Sequence, residues 1–407
     1  MRTMSEQRRV VVVGGGYAGT MAANRLAAES SFDVVMVNAR EHFVERIRLH
    51  QWAAGTATPT RDFETLLSAR VRRIVATAEH IDAPGRQVGL DSGDRLDYDW
   101  LIYAVGSSGS AAIGSAAIGS AAIEGAADHA QLVTDWESAT RLRNRLAELQ
   151  GAGRVTVVGG GLTGIETAAE LAEAGHRVTL VTADEIASSL SVRGRERTRR
   201  ALEHLGVVRH EHTRVERIGA TTVTLVHATG ERVEAATDIT VVTTGFAVPD
   251  LARRSGLTCD HLGRLCTDAA LVSVDDERIL GAGDAVAPAG NVPRMSCQAA
   301  MPLGVAAAQS VRSLAIGEHP VAAYPGFVAQ CVSLGRHAAT LQLTHKDDSP
   351  TRGVVTGRGA ALMKELICRG TIWGLQLEAR HPGIYPAARS TASVDHRDPT
   401  PNGQVVR

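Results

Sequence analysis

Two segments of the chain repeat one design, in which a β-branched run leads into a glycine turn, an Ala/Leu-rich stretch and a second β-branched run. The first copy reads RRVVVVGGGYAGTMAANRLAAES and then FDVVMVNAR, and the second reads GRVTVVGGGLTGIETAAELAEAG and then HRVTLVTAD. This order predicts the strand–helix–strand unit of a nucleotide-binding parallel sheet. We therefore expect an α/β protein with two Rossmann-like dinucleotide-binding domains.

The first copy has the spacing Gly-x-Gly-x-x-Gly between its predicted strand and helix. Gly14 permits the tight turn, Gly16 lets the backbone approach a pyrophosphate, and Gly19 lets the helix pack close to the strand. The helix N-terminus would offer free N–H groups and a positive dipole end to the phosphates, next to Tyr17 and Ala18. A tight turn without a ligand is the alternative, but the flanking strand and helix favour a binding site.

The second copy repeats this spacing with Gly159, Gly161 and Gly164. Leu162 and Thr163, which open its predicted helix, are further candidates for nucleotide contact. Two such motifs in one chain predict two separate nucleotide sites.

Neither copy has the expected acidic residue where its second strand ends, about 20 residues beyond the third glycine, to hold the adenosine ribose. Asn38 stands there in the first copy, where it can still accept and donate hydrogen bonds. Thr182 stands there in the second copy. Neither position therefore offers a carboxylate to the ribose hydroxyls.

The charged residues after Thr182 allow either nicotinamide nucleotide. Asp184 and Glu185 would hold a ribose hydroxyl, whereas arginines 193, 195 and 197 would meet the 2′-phosphate of NADPH. A solvated helix face is the third interpretation of these arginines and the favoured one. The choice between NADH and NADPH stays open.

Composition excludes several classes of function. The net charge is −1 and the pI is near 7. Because the chain has no excess of basic residues, we do not expect a nucleic-acid partner. No apolar run reaches the roughly 18 residues of a membrane helix, and the N-terminus lacks the pattern of a signal peptide, so we expect a cytoplasmic protein. The five cysteines form no CxxC pair or metal cluster, which predicts free thiols and no metal site. Cys297 and Cys331 are the candidates for the minority alternative, a redox-active thiol.

A later segment, RILGAGDAVA at 278–287, gives the two motifs a specific context. Over roughly residues 8–315 the combination resembles the FAD-dependent pyridine-nucleotide oxidoreductases. The resemblance implies that Asp284, after Gly283, binds the ribityl chain of FAD. It also makes Gly106 in LIYAVGSS, and Gly245 where that signature recurs, candidates for cofactor contact. Ala78, in the stretch RVRRIVATAEHI, is a further cofactor-binding candidate.

Within this superfamily the chain is most similar to type II NADH dehydrogenases and their apoptosis-inducing-factor-like relatives. The resemblance places Glu166 near the nicotinamide and flavin rings; a buried carboxylate paired with arginine is the compatible alternative. No CxxxxC pair is present, which disfavours thiol–disulfide chemistry. Of the family's glutamines on the quinone side, only Gln298 is kept, and the amphipathic C-terminal anchor is absent. The family's nicotinamide-binding residues are therefore better matched in this chain than its quinone-binding residues.

Arg46 and Arg48 replace the family's pattern beside the flavin. Arginines there would stabilise a reduced anionic flavin or hold an acidic substrate. The alternative is an ion pair with a nearby glutamate (Glu41, Glu45 or Glu166). His50 is a candidate proton donor to the acceptor, although a hydrogen-bonded structural histidine is commoner.

The expected domains follow from this resemblance. They are an FAD-binding domain in two parts (8–125, with the GSAAI repeat at 109–123 as a linker, and 263–320), an NAD(P)H-binding domain (126–262), a small α+β C-terminal domain (321–387) and a flexible tail (388–407). The C-terminal part is the candidate for closing the pocket or forming a homodimer.

Three functions are compatible with the sequence. The first is an FAD-dependent NAD(P)H:acceptor oxidoreductase, which passes hydride from the nicotinamide to flavin N5 and then electrons to a quinone or another small aromatic acceptor. The second is a reductase of a ferredoxin-like protein, and the third is a flavin and nucleotide sensor with little turnover. The near-neutral charge counts mildly against an acidic protein partner.

Overall fold

The computed structural model describes residues 7–108, 123–149 and 151–388. The GSAAI repeat, apart from Ile123, and the predicted tail beyond residue 388 lie outside these ranges. The described strands are β1 (Arg8–Val13), β2 (Phe32–Asn38), β3 (His42–Val44), β4 (Thr60–Asp62), β5 (Val71–Val75), β6 (Ala78–Asp82), β7 (Gln87–Leu90), β8 (Arg95–Asp97), β9 (Trp100–Tyr103), β10 (Ala130–Gln131), β11 (Arg154–Val158), β12 (Arg177–Val181), β13 (Val208–His210), β14 (Thr213–Ile218), β15 (Thr222–His227), β16 (Arg232–Ala236), β17 (Ile239–Val242), β18 (Leu265–Thr267), β19 (Ile279–Gly281), β20 (Val286–Pro288), β21 (Ala329–Ser333), β22 (Ala339–Thr344) and β23 (Pro350–Gly357).

The helices accompany these strands in the α/β order that the sequence predicts. They are α1 (Tyr17–Ala27), α2 (Leu49–Ala54), α3 (Ala126–His129), α4 (Trp136–Ala147), α5 (Leu162–Glu173), α6 (Val192–His204), α7 (Leu251–Arg254), α8 (Cys297–Ala315) and α9 (Arg358–Arg380), with short 3-10 helices at Arg46–Arg48 and Phe63–Thr65. In the described ranges, no helix is both long and apolar enough to cross a lipid bilayer.

Two five-stranded sheets carry the two repeated units. The first has the order β19-β9-β1-β2-β5 and the second the order β10-β17-β11-β12-β13, and all strand pairs within them are parallel. The valine-rich β1 and β11 are central strands, and their valines are buried. Parallel sheets need apolar residues on both faces because helices cover both. The predicted pair of Rossmann-like units is confirmed.

The first sheet is completed by chain that follows the second unit. Its edge strand β19 comes from residues 279–281 and pairs with β9, and α8 packs on α1, where a Cβ on Gly304 would lie 2.2 Å from the Ala18 carbonyl oxygen. This return brings Gly283 and Asp284 to the first glycine turn. The exact domain boundaries stay predictions.

The C-terminal part consists of an antiparallel sheet, β21-β22-β23, and the long helix α9. Arg25 of α1 forms a buried ion pair with Glu378 of α9, and Glu378 also accepts hydrogen bonds from the backbone N–H groups of Gly383 and Tyr385. These contacts fix α9 against the first unit, so that the helix can form one wall of the cavity between the units.

Candidate active site

A cavity of about 560 Å³ lies between the two glycine turns, and α8, β21 and α9 close it. Fourteen of the sequence-predicted residues line it: Gly16, Tyr17, Ala18, Arg46, His50, Gly106, Leu162, Thr163, Glu166, Gly283, Asp284, Cys297, Gln298 and Cys331. The other candidates do not belong to its wall: Gly14, Gly19, Asn38, Arg48, Ala78, Gly159, Gly161, Gly164, Thr182, Asp184, Glu185, Arg193, Arg195, Arg197 and Gly245. The structure therefore brings together the helix N-termini of both repeats and the late Gly-Asp segment.

The first glycine turn fits a pyrophosphate. Gly14 has φ of +106°, and a Cβ there would lie 2.3 Å from the Ala104 carbonyl oxygen. A Cβ on Gly19 would lie 1.8 Å from the Gly14 carbonyl oxygen, whereas no atom lies within 4 Å of the Cβ position of Gly16. The turn is thus packed on its protein side and open at Gly16, beside the N-terminus of α1, as phosphate binding requires.

The second glycine turn has the same geometry. Gly159 has φ of +122°, and a Cβ on Gly164 would lie 1.9 Å from the Gly159 carbonyl oxygen. The Cβ position of Gly161 is again open. The N-terminus of α5 therefore has the same fit to a phosphate as that of α1.

The residues at the strand ends support the glycine turns. Asn38 accepts a hydrogen bond from the Gly15 N–H at 2.9 Å and donates one to the Arg40 carbonyl oxygen at 2.8 Å. Thr182 packs in the same place in the second unit, since its Oγ1 lies 2.8 Å from the Cβ position of Gly160. Both residues fix the turn, and their binding of a ribose stays a prediction.

The late Gly-Asp segment is tied to the first unit by a polar chain. The Ser107 hydroxyl donates to Asp284 Oδ2 at 2.8 Å. The Arg46 guanidinium donates hydrogen bonds to the hydroxyl and the carbonyl oxygen of Ser107. It also donates to the Thr134 carbonyl oxygen at 2.7 Å. Burial lowers the pKa of Arg46 from its ordinary value, which the charge of Asp284 partly offsets. A positive charge thus lies at the cavity wall without a carboxylate within ion-pair distance among the described residues.

Arg48, in contrast, points away from the cavity. Its guanidinium pairs with Glu45 at 3.0 Å and with Glu365 of α9 at 3.0 Å. A 3-10 helix has three residues per turn, so side chains two positions apart leave it in different directions. Arg46 and Arg48 are therefore separated, and the ion pair with Glu45 that the sequence allowed for Arg48 is present.

Glu166 of α5 forms a buried ion pair at the opposite wall. Lys364 of α9 donates to Glu166 Oε1 at 2.7 Å and to the Cys331 carbonyl oxygen at 3.1 Å, and the Ser333 N–H donates to Glu166 Oε1 at 2.9 Å. Burial would raise the pKa of Glu166, but the Lys364 charge and these hydrogen bonds hold it below its ordinary value. Burial would lower the pKa of Lys364, and Glu166 raises it above its ordinary value. Both groups are charged at neutral pH, and the partner of Glu166 is lysine rather than the predicted arginine.

His50 lies next to this ion pair. Its Nδ1 is 3.9 Å from Glu166 Oε2, and its Nε2 is buried without a hydrogen-bond partner among the described residues. Burial lowers the pKa of His50 to about 4, although Glu166 acts in the opposite direction. The imidazole is therefore neutral at neutral pH.

Three cysteines line the cavity, namely Cys297, Cys331 and Cys368. Burial raises the pKa of the Cys297 thiol to about 11 and raises the pKa values of the other two above the ordinary value. Because the thiolate is the reactive form, these environments oppose the redox-thiol alternative. Gln298, next to Cys297, is oriented to donate to the Ala329 carbonyl oxygen at 3.1 Å and to accept from the Val328 N–H at 2.9 Å.

Lys364 and Ser107 are among the polar residues of the cavity that sequence reasoning missed. Lys364 is one of only two lysines in a chain that otherwise uses arginine, and it lies in the apolar stretch GAALMKELICRG. A rare lysine in an apolar stretch could have indicated a functional side chain. Ser107 carries no such signal, since its part in the site follows from its contacts with Asp284 and Arg46.

The fold and cavity define the class of protein: a pyridine-nucleotide oxidoreductase with two dinucleotide-binding units. Residues 8–309 match the pyridine nucleotide-disulphide oxidoreductase family, and the chain belongs to this family. The predicted FAD and NAD(P)H cofactors, the enzyme class and the resemblance to NADH dehydrogenases are confirmed.

Two relatives and one solved structure illustrate the similarity. The chain is 31% identical over 325 residues to an NADH dehydrogenase-like protein of Mycobacterium tuberculosis, covering 73% of this chain and 78% of the relative. It is 26% identical over 299 residues to the demethylphylloquinone reductase NdbB of Synechocystis, covering 68% and 71%. The structure of the sulfide:quinone oxidoreductase of Aquifex aeolicus superposes with a TM-score of 0.75 at 16% identity, covering 95% of this chain and all of the other, which shows a shared fold.

Proposed function

We propose that the protein is an FAD-dependent NAD(P)H:quinone oxidoreductase, or reduces another small aromatic acceptor. The observation that carries this proposal is the cavity itself, where the N-termini of α1 and α5, Asp284 and the Glu166–Lys364 ion pair meet. The name of the Synechocystis relative supports a quinone as the acceptor. When bound, FAD supplies the redox chemistry, by accepting hydride from a nicotinamide and giving electrons to the acceptor.

The residues of the chain position and charge the site. Asp284, oriented by Ser107, offers a carboxylate to hydroxyl groups of the flavin side chain. The Arg46 guanidinium places a half-buried positive charge at the cavity wall, which stabilises negative charge that develops there. Lys364 holds a positive charge at the cavity wall beside Glu166, which suits the stabilisation of negative charge on an acceptor oxygen.

The acceptor side of the cavity favours a flat, apolar molecule. Met301, Ile367 and Tyr385 contribute to the wall formed by α8, α9 and the segment after α9. Aromatic rings gain most of their binding free energy from such apolar contact. A cytoplasmic location and a homodimer stay predictions of the sequence.

An anaerobic experiment tests this function. Purified yellow protein is mixed with NADH or NADPH, and the flavin absorbance is followed before and after addition of menadione or a ferredoxin. We expect bleaching by the nucleotide and reoxidation with turnover by menadione. Turnover on ferredoxin alone would favour a protein acceptor instead, and a stable charge-transfer band with negligible turnover would favour a sensor.

A further inference from the structure

The loop that follows β12 lies against the second glycine turn. The Ala187 N–H donates to the Gly160 carbonyl oxygen at 2.8 Å, and the Ile186 N–H donates to Glu211 Oε1 at 2.6 Å. Glu185 precedes Ile186 and lies just beyond the end of β12. These two backbone contacts therefore hold it near the second glycine turn. In nucleotide-binding units of this type, the adenosine ribose is held where this strand ends.

The strand end itself offers no charge to a ribose. Thr182 is buried against Gly160 and carries only a hydroxyl. Carboxylates come instead from the loop, where Asp184 is exposed and Glu185 is half-buried. Carboxylates that could bind the ribose therefore lie two and three residues after the strand-end position Thr182.

Two arginines of α6 already have carboxylate partners in this loop region. Arg195 pairs with Glu185 Oε2 at 2.9 Å. Arg199 pairs with Glu211 at 2.6 Å and with Glu185 Oε1 at 3.6 Å. Glu185 therefore competes with a 2′-phosphate for Arg195, whereas Arg199 is held mainly by Glu211.

The other two arginines considered from the sequence point elsewhere. Arg193 lines a surface depression together with His345 and Arg352. Arg197 lines a second depression, next to β22 and the end of β23, together with His337. Both depressions face the C-terminal sheet, so these arginines do not replace Arg195 and Arg199 at the loop.

We propose that Glu185 determines donor specificity, by selecting NADH over NADPH. Its carboxylate accepts hydrogen bonds from ribose hydroxyls, occupies Arg195 and Arg199, and repels the dianionic 2′-phosphate. This inference rests on the proposed function, because it assigns the donor to the second glycine turn.

Calorimetric titration of the purified holoenzyme with NAD⁺ and NADP⁺ tests the proposal without turnover. We expect the wild-type protein to bind NAD⁺ at least about tenfold more tightly, the effect of roughly one charge-assisted hydrogen bond. Glu185→Gln frees Arg195, so NADP⁺ affinity should rise by about tenfold while NAD⁺ affinity falls a few-fold. The matched control is Glu216→Gln, which removes a carboxylate paired with Arg232 on the β14–β16 sheet, and it should leave the affinity ratio unchanged.

A second variant shifts the ratio in the opposite direction. Arg195→Gln leaves Glu185 less neutralised, so NADP⁺ should bind more weakly still, while NAD⁺ binding changes little. Equal wild-type affinities for NAD⁺ and NADP⁺, or a ratio within twofold of wild type in both Glu185→Gln and Arg195→Gln, would overturn the proposal. Both failures leave nucleotide binding and flavin bleaching intact. If the proposed function itself fails, menadione gives no turnover, whatever the ratio of the two nucleotide affinities.

Discussion

The two glycine turns have nearly the same backbone but different surroundings. In each, the first glycine N–H donates at 2.8 Å to the carbonyl oxygen of a residue near the end of the neighbouring strand, Val37 or Val181. In each, the third glycine leaves no room for a Cβ. The first turn leads into Tyr17, whose hydroxyl is buried without a partner in the described chain, whereas the second leads towards the charged Glu166.

This difference shows that the repeat specifies a binding geometry, and that residues outside the repeat specify the chemistry. Asp284 reaches the first turn from the late return of the chain, and Lys364 reaches the second from α9. Both arrive from sequence positions more than a hundred residues away. Substitutions within the turns should therefore affect the two units alike, while substitutions around them should not.

The largest expected effect comes from Gly19→Ala and Gly164→Ala. Each added Cβ would meet a backbone oxygen within 2 Å, so the turn must distort, and we expect a loss of more than about 4 kcal/mol in the free energy of unfolding. Urea denaturation and flavin content measure this. Gly16→Ala and Gly161→Ala are the controls, because their Cβ positions are open, and they should keep stability while weakening ligand binding. If Gly164→Ala were as stable as wild type, the equivalence of the two turns would be wrong.

The next effect distinguishes the surroundings of the two turns. Lys364→Met leaves Glu166 buried without its ion-pair partner, which should cost about 3–5 kcal/mol of stability and lower kcat about 100-fold through the lost positive charge. The double variant Glu166→Gln/Lys364→Met should recover most of the stability but not the turnover. Tyr17→Phe, beside the first turn, removes a hydroxyl that has no partner and should change stability by less than about 1 kcal/mol. Chemical denaturation measures the stability of these variants, and steady-state kinetics measures kcat. Equal losses of stability and kcat in Lys364→Met and Tyr17→Phe would show that the surroundings of the two turns do not differ in effect.

A pH effect of intermediate size comes from His50, which α2 of the first unit places beside Glu166 of the second. Its folded-state pKa of about 4 is below the value of about 6.5 in an unfolded chain, so the unfolded chain binds the proton first. Stability should therefore fall by about 3 kcal/mol as the pH drops from 6.5 to 4. His50→Gln should flatten this part of the stability profile, measured by urea denaturation at successive pH values. His204→Gln, at an exposed histidine, is the control, and an unchanged profile in His50→Gln would show that another group carries the acid sensitivity.

The sequence predicted the parts of this site that depend on local pattern. The glycine spacing, the flanking strands and the Gly-Asp segment are local, and they led to both turns. The family resemblance that they carry led to Glu166 and Asp284. Two features depend on direction or distance. The separation of Arg46 from Arg48 follows from a single 3-10 turn, and the partner of Glu166 comes from a helix nearly 200 residues later. Periodicity and spacing do not encode which distant side chain will meet a buried carboxylate.

The smallest expected effect concerns the thiols on the two sides of the cavity. Cys297 begins α8, which packs on the first unit, and Cys331 lies in β21, next to the Glu166–Lys364 pair. Burial keeps both thiols protonated at neutral pH, and a protonated thiol is neither a nucleophile nor an electron carrier. Cys297→Ser and Cys331→Ser should therefore keep kcat within about twofold of wild type, and iodoacetamide at pH 7.5 should not inactivate the enzyme. A tenfold loss in Cys331→Ser alone would mean that the second side of the cavity differs from the first in thiol chemistry as well as in charge.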